Sequence, residues 1–132
     1  MLFTRFHKAD IDVEELEIVR ALPLSDSSDL PMRLRGAAAL SGRVKASIAL
    51  TGGVHTGIDV IKSTMAGAHA TQMVSALLRH GPAHLRTVRS EIEAWMEEHE
   101  WSSLGEMRGN MSLGRIPDPA AYERANFRMA LR

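Results

Sequence analysis

The chain has 132 residues, a formal net charge of zero, 45% hydrophobic and 24% charged side chains. These are ordinary globular values, and without a dense basic cluster they argue against nucleic acid as a partner. The absence of cysteine removes a disulfide framework, and the absence of a long apolar run or a signal-like N-terminus makes the cytoplasm the expected compartment, with no membrane partner.

In chain order, the first predicted strand covers residues 1–6. Residues 10–22 follow, and Ser25 to Pro31 reads as a polar, solvated link to a helix over Met32–Leu40. A second strand is expected over 46–51. Its small and apolar residues, bounded by Gly42 and by Gly52-Gly53, suit a strand covered on both faces. Thr56 can cap the next helix, with Asp59 as the acidic partner of a capping box. Val60, Ile61 and Met65 recur at helical spacing, and Gly67 stands where a left-handed residue closes a helix. A third strand over 69–75 completes a right-handed βαβ unit within roughly thirty residues.

Beyond it, Ala76 to Arg79 can open a short helix. Pro82 to His99 reads as an amphipathic helix with Leu85, Val88, Ile92, Trp95 and Met96 on one face. His84, Arg86 and Arg89 lie at its start and Glu93, Glu97 and Glu98 at its end, an order that opposes the helix dipole. The basic end reads either as neighbour to a bound phosphate or as solvated surface. His80 and His84 have i, i+4 spacing, but Pro82 best fits the first turn of a helix. His80 is then expected before that helix, on no shared face with His84, and no metal site is expected. Ser102 or Ser103 can start a short helix through Met107; 108–116 reads as loop, and Pro117-Asp118-Pro119 as the start of a last helix.

The chemistry concentrates in two turns. Thr51-Gly52-Gly53 ends the second predicted strand and Val74-Ser75 ends the third. In a parallel α/β barrel, the loops after the last two strands and a short helix N-terminus cradle phosphate through backbone N–H groups. Glycine at 52 and 53 lets the backbone take an unusual φ or approach an oxyanion without a Cβ between them. Ser75 adds a hydroxyl. The same residues also fit a tight βα turn with Ser75 as a cap.

Several blocks go beyond spacing: Leu2-Phe3-Thr4-Arg5-Phe6 with Asp10-Ile11-Asp12, Leu50 to Gly81, Glu98-His99-Glu100, Met107 to Ser112, and Pro117 to Asn126. On these residues the chain, from Met1 to Leu131, resembles the C-terminal part of the dihydroorotate dehydrogenase family, in particular a bacterial branch of dihydroorotate dehydrogenase-like flavoproteins. The resemblance implies an FMN-dependent (β/α)8 barrel that oxidises dihydroorotate or a related dihydropyrimidine. It places the FMN phosphate on Thr51, Gly52, Gly53, Val74 and Ser75. The family often has Gly-Thr where this chain has Val74-Ser75. It generally has a substrate-contacting asparagine where this chain has Thr4, whose single hydroxyl offers less than an amide.

The expected fold is therefore the C-terminal part of an FMN-binding barrel, about three βα units of eight, because a whole barrel takes roughly 250 residues. Residues 1–100 would form this portion, with the phosphate-binding strands 7 and 8, and 101–132 a helical extension. The resemblance places the catalytic base and a flavin-contacting lysine on earlier strands, so no residue here is assigned as catalytic. The leading expectation is a piece of a pyrimidine-oxidising flavoprotein whose complete form takes a dihydropyrimidine. Alternatives are a non-catalytic remnant or structural partner, and another phosphate-binding barrel enzyme. Open strand edges predict self-association or pairing with the missing barrel half.

Overall fold

The computed structural model of the protein describes residues 8–21 and 23–120. The expected strand over 1–6, with Thr4, lies outside these residues, as does the last helix beyond Ala120. The first described element was not foreseen. β1 (Lys8–Asp12) and β2 (Glu17–Ala21) form an antiparallel hairpin, with Lys8 opposite Ala21 and Asp12 opposite Glu17. Its turn contains no Gly, Asn or Pro. Asp12 closes it instead, its Oδ1 accepting the N–H groups of Glu14 at 3.0 Å and Glu15 at 3.1 Å. Leu16 takes a left-handed φ of 51°. The short carboxylate thus mimics a backbone turn.

Residues 25–31, expected as solvated loop, are only partly so. Asp26 caps a single 3-10 turn (Ser27–Asp29), with Asp29 returning the bond as a reciprocal capping box. The chain then runs straight into α1 (Leu30–Leu40), with Pro31 in its first turn, where its missing N–H costs nothing. Ser25 is buried. The loop is anchored inward for reasons that lie fifty residues away.

β3 (Ala49–Thr51), α2 (Gly57–Ala66) and β4 (Ala70–Gln72) form the predicted parallel βαβ unit, with Ala49 opposite Ala70 and Thr51 opposite Gln72. The strands are shorter than the expected spans 46–51 and 69–75. Only Leu50 of β3 is fully buried; Ala49 and Thr51, on the other face, are partly exposed, so the strand is covered on one face rather than two. α2 begins as predicted. The Thr56 hydroxyl accepts the Asp59 N–H, and the Asp59 carboxylate accepts the Thr56 N–H at 3.0 Å. It ends at Gly67, whose φ of 118° lets the N–H groups of Gly67 and Ala68 return to the carbonyls of Thr64 and Ser63.

α2 is the central helix. It touches α1 on one side, α4 (His84–Glu98) on the other, and β4. Seven of its ten residues are buried, including Ser63 and Thr64, whose hydroxyls donate back to the carbonyls of Asp59 and Val60. Leu30, Ala37, Ala38, Ile48, Leu50, Val54, Val60, Ala66, Ala68 and Val88 form one core. Fully burying a side chain such as Leu50 stabilises by about 1.5–3 kcal/mol. On α4, Val88 is buried and Ile92, Trp95 and Met96 partly so, as the pattern implied, whereas Leu85 is half exposed. α3 (Ser75–His80) joins β4 to α4, and α5 (Leu104–Met107), capped by the Ser103 hydroxyl, buries Met107.

Candidate functional site

Because β3 and β4 are parallel neighbours, the turns that follow them open at the same end of the sheet. The Thr51-Gly52-Gly53 turn and the Val74-Ser75 turn are brought together in this way. The first-turn N–H groups of α3 begin at Ser75, with Val74 as the capping residue. Among the described residues, no hydrogen bond engages the N–H of Gly53 or Val54.

The glycines have a more local reason than the one inferred from sequence. Gly52 and Gly53 have φ values of 84° and 83°. A Cβ on Gly53 would stand 2.5 Å from the Leu30 nitrogen, against the start of α1. A Cβ on Gly52 would stand 2.5 Å from Nε and 3.0 Å from Cζ of Arg33. The space that glycine opens is filled by α1 itself, so backbone geometry and helix packing already account for both residues.

Arg33 was not singled out in the sequence, where it sits among the polar residues of a helix. It is 7% exposed. Its Nη1 donates to the Asp29 carbonyl, and its Nε has no partner and no solvent. Among the described residues it forms no ion pair; the salt bridge seen there joins Arg89 to Glu93 at the surface.

Ser75 meets Ser25, and through it His55, neither of which sequence reasoning assigned a role. The Ser25 N–H donates to Ser75 Oγ at 3.0 Å, and the Ser25 hydroxyl donates to the same oxygen at 2.9 Å. With two bonds accepted, the proton of Ser75 remains free to donate. Ser25 Oγ, its one proton given to Ser75, also lies 3.4 Å from Nε2 of buried His55, so that contact forms with the imidazole Nε2–H as donor. Asp59 does not complete a catalytic triad with them. Its Oδ2 accepts the backbone N–H of His55 at 3.0 Å, the N–H of Thr56 and the Ser27 hydroxyl at 2.7 Å, so it is a fastener for two loops.

α4 grips the same turn from outside. His84 Nε2 donates to the His55 carbonyl at 2.7 Å, and Glu91 Oε2 accepts the Gly57 N–H at 2.6 Å. Two of the three basic residues at the start of α4 are occupied by protein groups: His84 holds a carbonyl and Arg89 pairs with Glu93 at 2.7 Å, while Arg86 is exposed. His80 ends α3 and so precedes the helix that His84 begins, as expected, but Gly81 and Pro82 turn the chain so that the two rings lie 4.9 Å apart. Among the described residues no group of three or more His, Asp or Glu is placed to hold a metal ion.

One carboxyl at the rim is perturbed. The Ser28 hydroxyl, and then the Ser28 N–H, hold the Asp26 carboxyl below its ordinary value. A depressed carboxyl contributes stability above its unfolded value of about 3.9 and loses it as pH falls through the lower folded value. Replacing Asp26 by Asn should therefore flatten the acid limb of the stability profile. Denaturation midpoints for both proteins at about pH 5 and about pH 3 check this; equal losses on acidification would remove Asp26 from the account.

Comparison with known proteins gives a consistent direction. No family model matches the chain. A chloroplastic dihydropyrimidine dehydrogenase (NADP(+)) of Arabidopsis thaliana is 31% identical over 64 residues, 48% of this chain and 15% of the relative. Dihydroorotate dehydrogenase A (fumarate) of Lactococcus lactis is 30% identical over 83 residues, 61% of this chain and 27% of the relative. A crystal structure of Eimeria tenella dihydroorotate dehydrogenase in complex with ferulenol superposes with a TM-score of 0.59 at 21% identity, over 70% of this chain and 24% of the other. The chain thus resembles dihydroorotate and dihydropyrimidine dehydrogenases over part of its length, shares a partial fold with them, and spans about a quarter or less of their length. No helix among the described residues is long and apolar enough to cross a membrane.

Proposed function

We propose that this chain is the phosphate-holding part of a dihydroorotate dehydrogenase-like flavoprotein, and that the group it receives is the phosphate end of FMN. The observation that carries this reading is the pair of turns at one end of two adjacent parallel strands, Thr51-Gly52-Gly53 beside Val74-Ser75. The residues present fit an anion. Among the described residues the N–H groups of Gly53 and Val54 are unspent and Ser75 keeps a proton to donate, and a buried guanidinium lies against Gly52. When bound, the flavin would supply hydride acceptance from a dihydropyrimidine. The protein's part is to hold its phosphate through Thr51, Gly52, Gly53, Val74 and Ser75, with Thr4 proposed near the substrate. In this reading residues 1–100 supply the barrel portion and 101–132 its helical extension.

β3 and β4 are short, and each is paired among the described residues only with the other. Unpaired edges seek another chain. We therefore expect the purified chain to self-associate, or to pair with the remainder of a barrel, and to show no dihydroorotate oxidation alone. Flavin fluorescence titrated with the protein, sedimentation and a dye-reduction assay check these points together. The expected result is an associated, FMN-binding, inactive protein. A monodisperse monomer without flavin affinity would count against the cofactor reading and leave a structural remnant, whereas dye reduction with dihydroorotate would overturn the division of labour.

A further inference from the structure

Among the described residues, Arg33 is the buried polar group at this turn that the fold does not account for. A cation taken out of water costs several kcal/mol unless an opposite charge or a full set of acceptors replaces the solvent. Arg33 has one carbonyl, from Asp29, and neither a carboxylate among the described residues nor any partner for Nε. It is 7% exposed, so water reaches little of the side chain and none of it reaches Nε.

Its position removes the simplest structural explanation. The guanidinium lies against Gly52, with Nε 2.5 Å and both Cζ and Nη2 3.0 Å from where a Cβ would be. A glycine with φ of 84° is what allows that approach. On the next two residues, the N–H groups of Gly53 and Val54 carry no hydrogen bond among the described residues. Donors without acceptors and a cation without a counter-charge therefore meet at one turn.

We infer that Arg33 is the charge-neutralising residue of an anion site at the Gly52-Gly53 turn, and that the site takes a phosphate monoester. A planar fork of N–H donors matches a phosphate in geometry as well as in charge. Arg33 decides the preference for a phosphorylated over an unphosphorylated ligand. The inference rests on the FMN reading only for the identity of the monoester.

The test uses the full chain, with inorganic phosphate as the first probe and FMN against riboflavin as the second. Arg35→Met, on the same helix but exposed, matches the charge change. Phosphate titrated against chloride at equal ionic strength should raise the thermal midpoint of the wild type and of Arg35→Met in a saturable way. Arg33→Met should lose at least tenfold in that affinity. Without phosphate, Arg33→Met should melt no lower than the wild type, because a buried uncompensated charge has been removed. A wild type indifferent to phosphate, an Arg33→Met protein that binds it equally well, or one that unfolds without it, overturns the assignment. The flavin pair separates the two readings. Phosphate binding with no flavin binding keeps Arg33 and sinks FMN. FMN preferred over riboflavin equally in both proteins keeps FMN and sinks Arg33.

Discussion

Gly53→Ala is expected to destabilise the protein more than any other single methyl addition at the site. The residue has φ of 83°, a region that costs an L side chain roughly 1–2 kcal/mol. The added carbon would also meet the Leu30 nitrogen at 2.5 Å, Leu30 Cα at 2.9 Å and the Asp29 carbonyl carbon at 3.0 Å. All three are backbone atoms at the start of a helix and cannot rotate away. Overpacking of this kind typically adds about 1–3 kcal/mol, so a total of about 3 kcal/mol or more is expected. That is a large share of the roughly 5–15 kcal/mol that holds a domain together. At Gly52 the obstacle is the Arg33 side chain, which can move, so Gly52→Ala should cost less. Denaturant midpoints of the two variants give the comparison. Equal and small losses would mean that α1 does not press on this turn.

The second large effect is expected at Asp59. Its buried carboxylate accepts the N–H groups of His55 and Thr56 and the hydroxyl of Ser27. Asp59→Ala strands all three donors, and hydrogen bonds to a charged group are each worth about 1.5–3 kcal/mol without being additive. A loss of about 3 kcal/mol or more is expected, with Asp59→Asn roughly half as severe because an amide oxygen still accepts. Equilibrium unfolding measures the total, and amide exchange at His55 and Thr56 shows whether the turn is where the loss falls. An Asp59→Ala protein within about 1 kcal/mol of the wild type would refute the fastener role.

The sequence made some of this legible and hid the rest for a physical reason. Thr56 with Asp59, Gly67 and Ser103 act within four residues of themselves, so their caps could be read directly. The parallel pair followed from the strand–helix–strand order. The hairpin of β1 and β2 was missed because its turn relies on the Asp12 side chain rather than on glycine or asparagine. Asp12 was nevertheless the available signal. Ser25, Arg33 and His55 were missed because their partners lie 19 to 50 positions away: Ser75 for Ser25, Gly52 for Arg33. A loop of polar residues looks solvated until something distant claims its hydroxyls.

The two bonds from α4 to the β3–α2 turn have a consequence for the order in which the molecule is made. His84 and Glu91 stand two helical turns apart, on one face, and they take the His55 carbonyl and the Gly57 N–H. As the chain is synthesised, the capping signals of α2 and the partner strand β4 are all available by residue 72. The polar groups on the outer side of the turn stay in water until residues 84 and 91 have emerged and α4 has docked. The site end of the sheet therefore sets only once α4 has docked, and its rigidity is supplied by a helix that contributes nothing to the turn's own sequence.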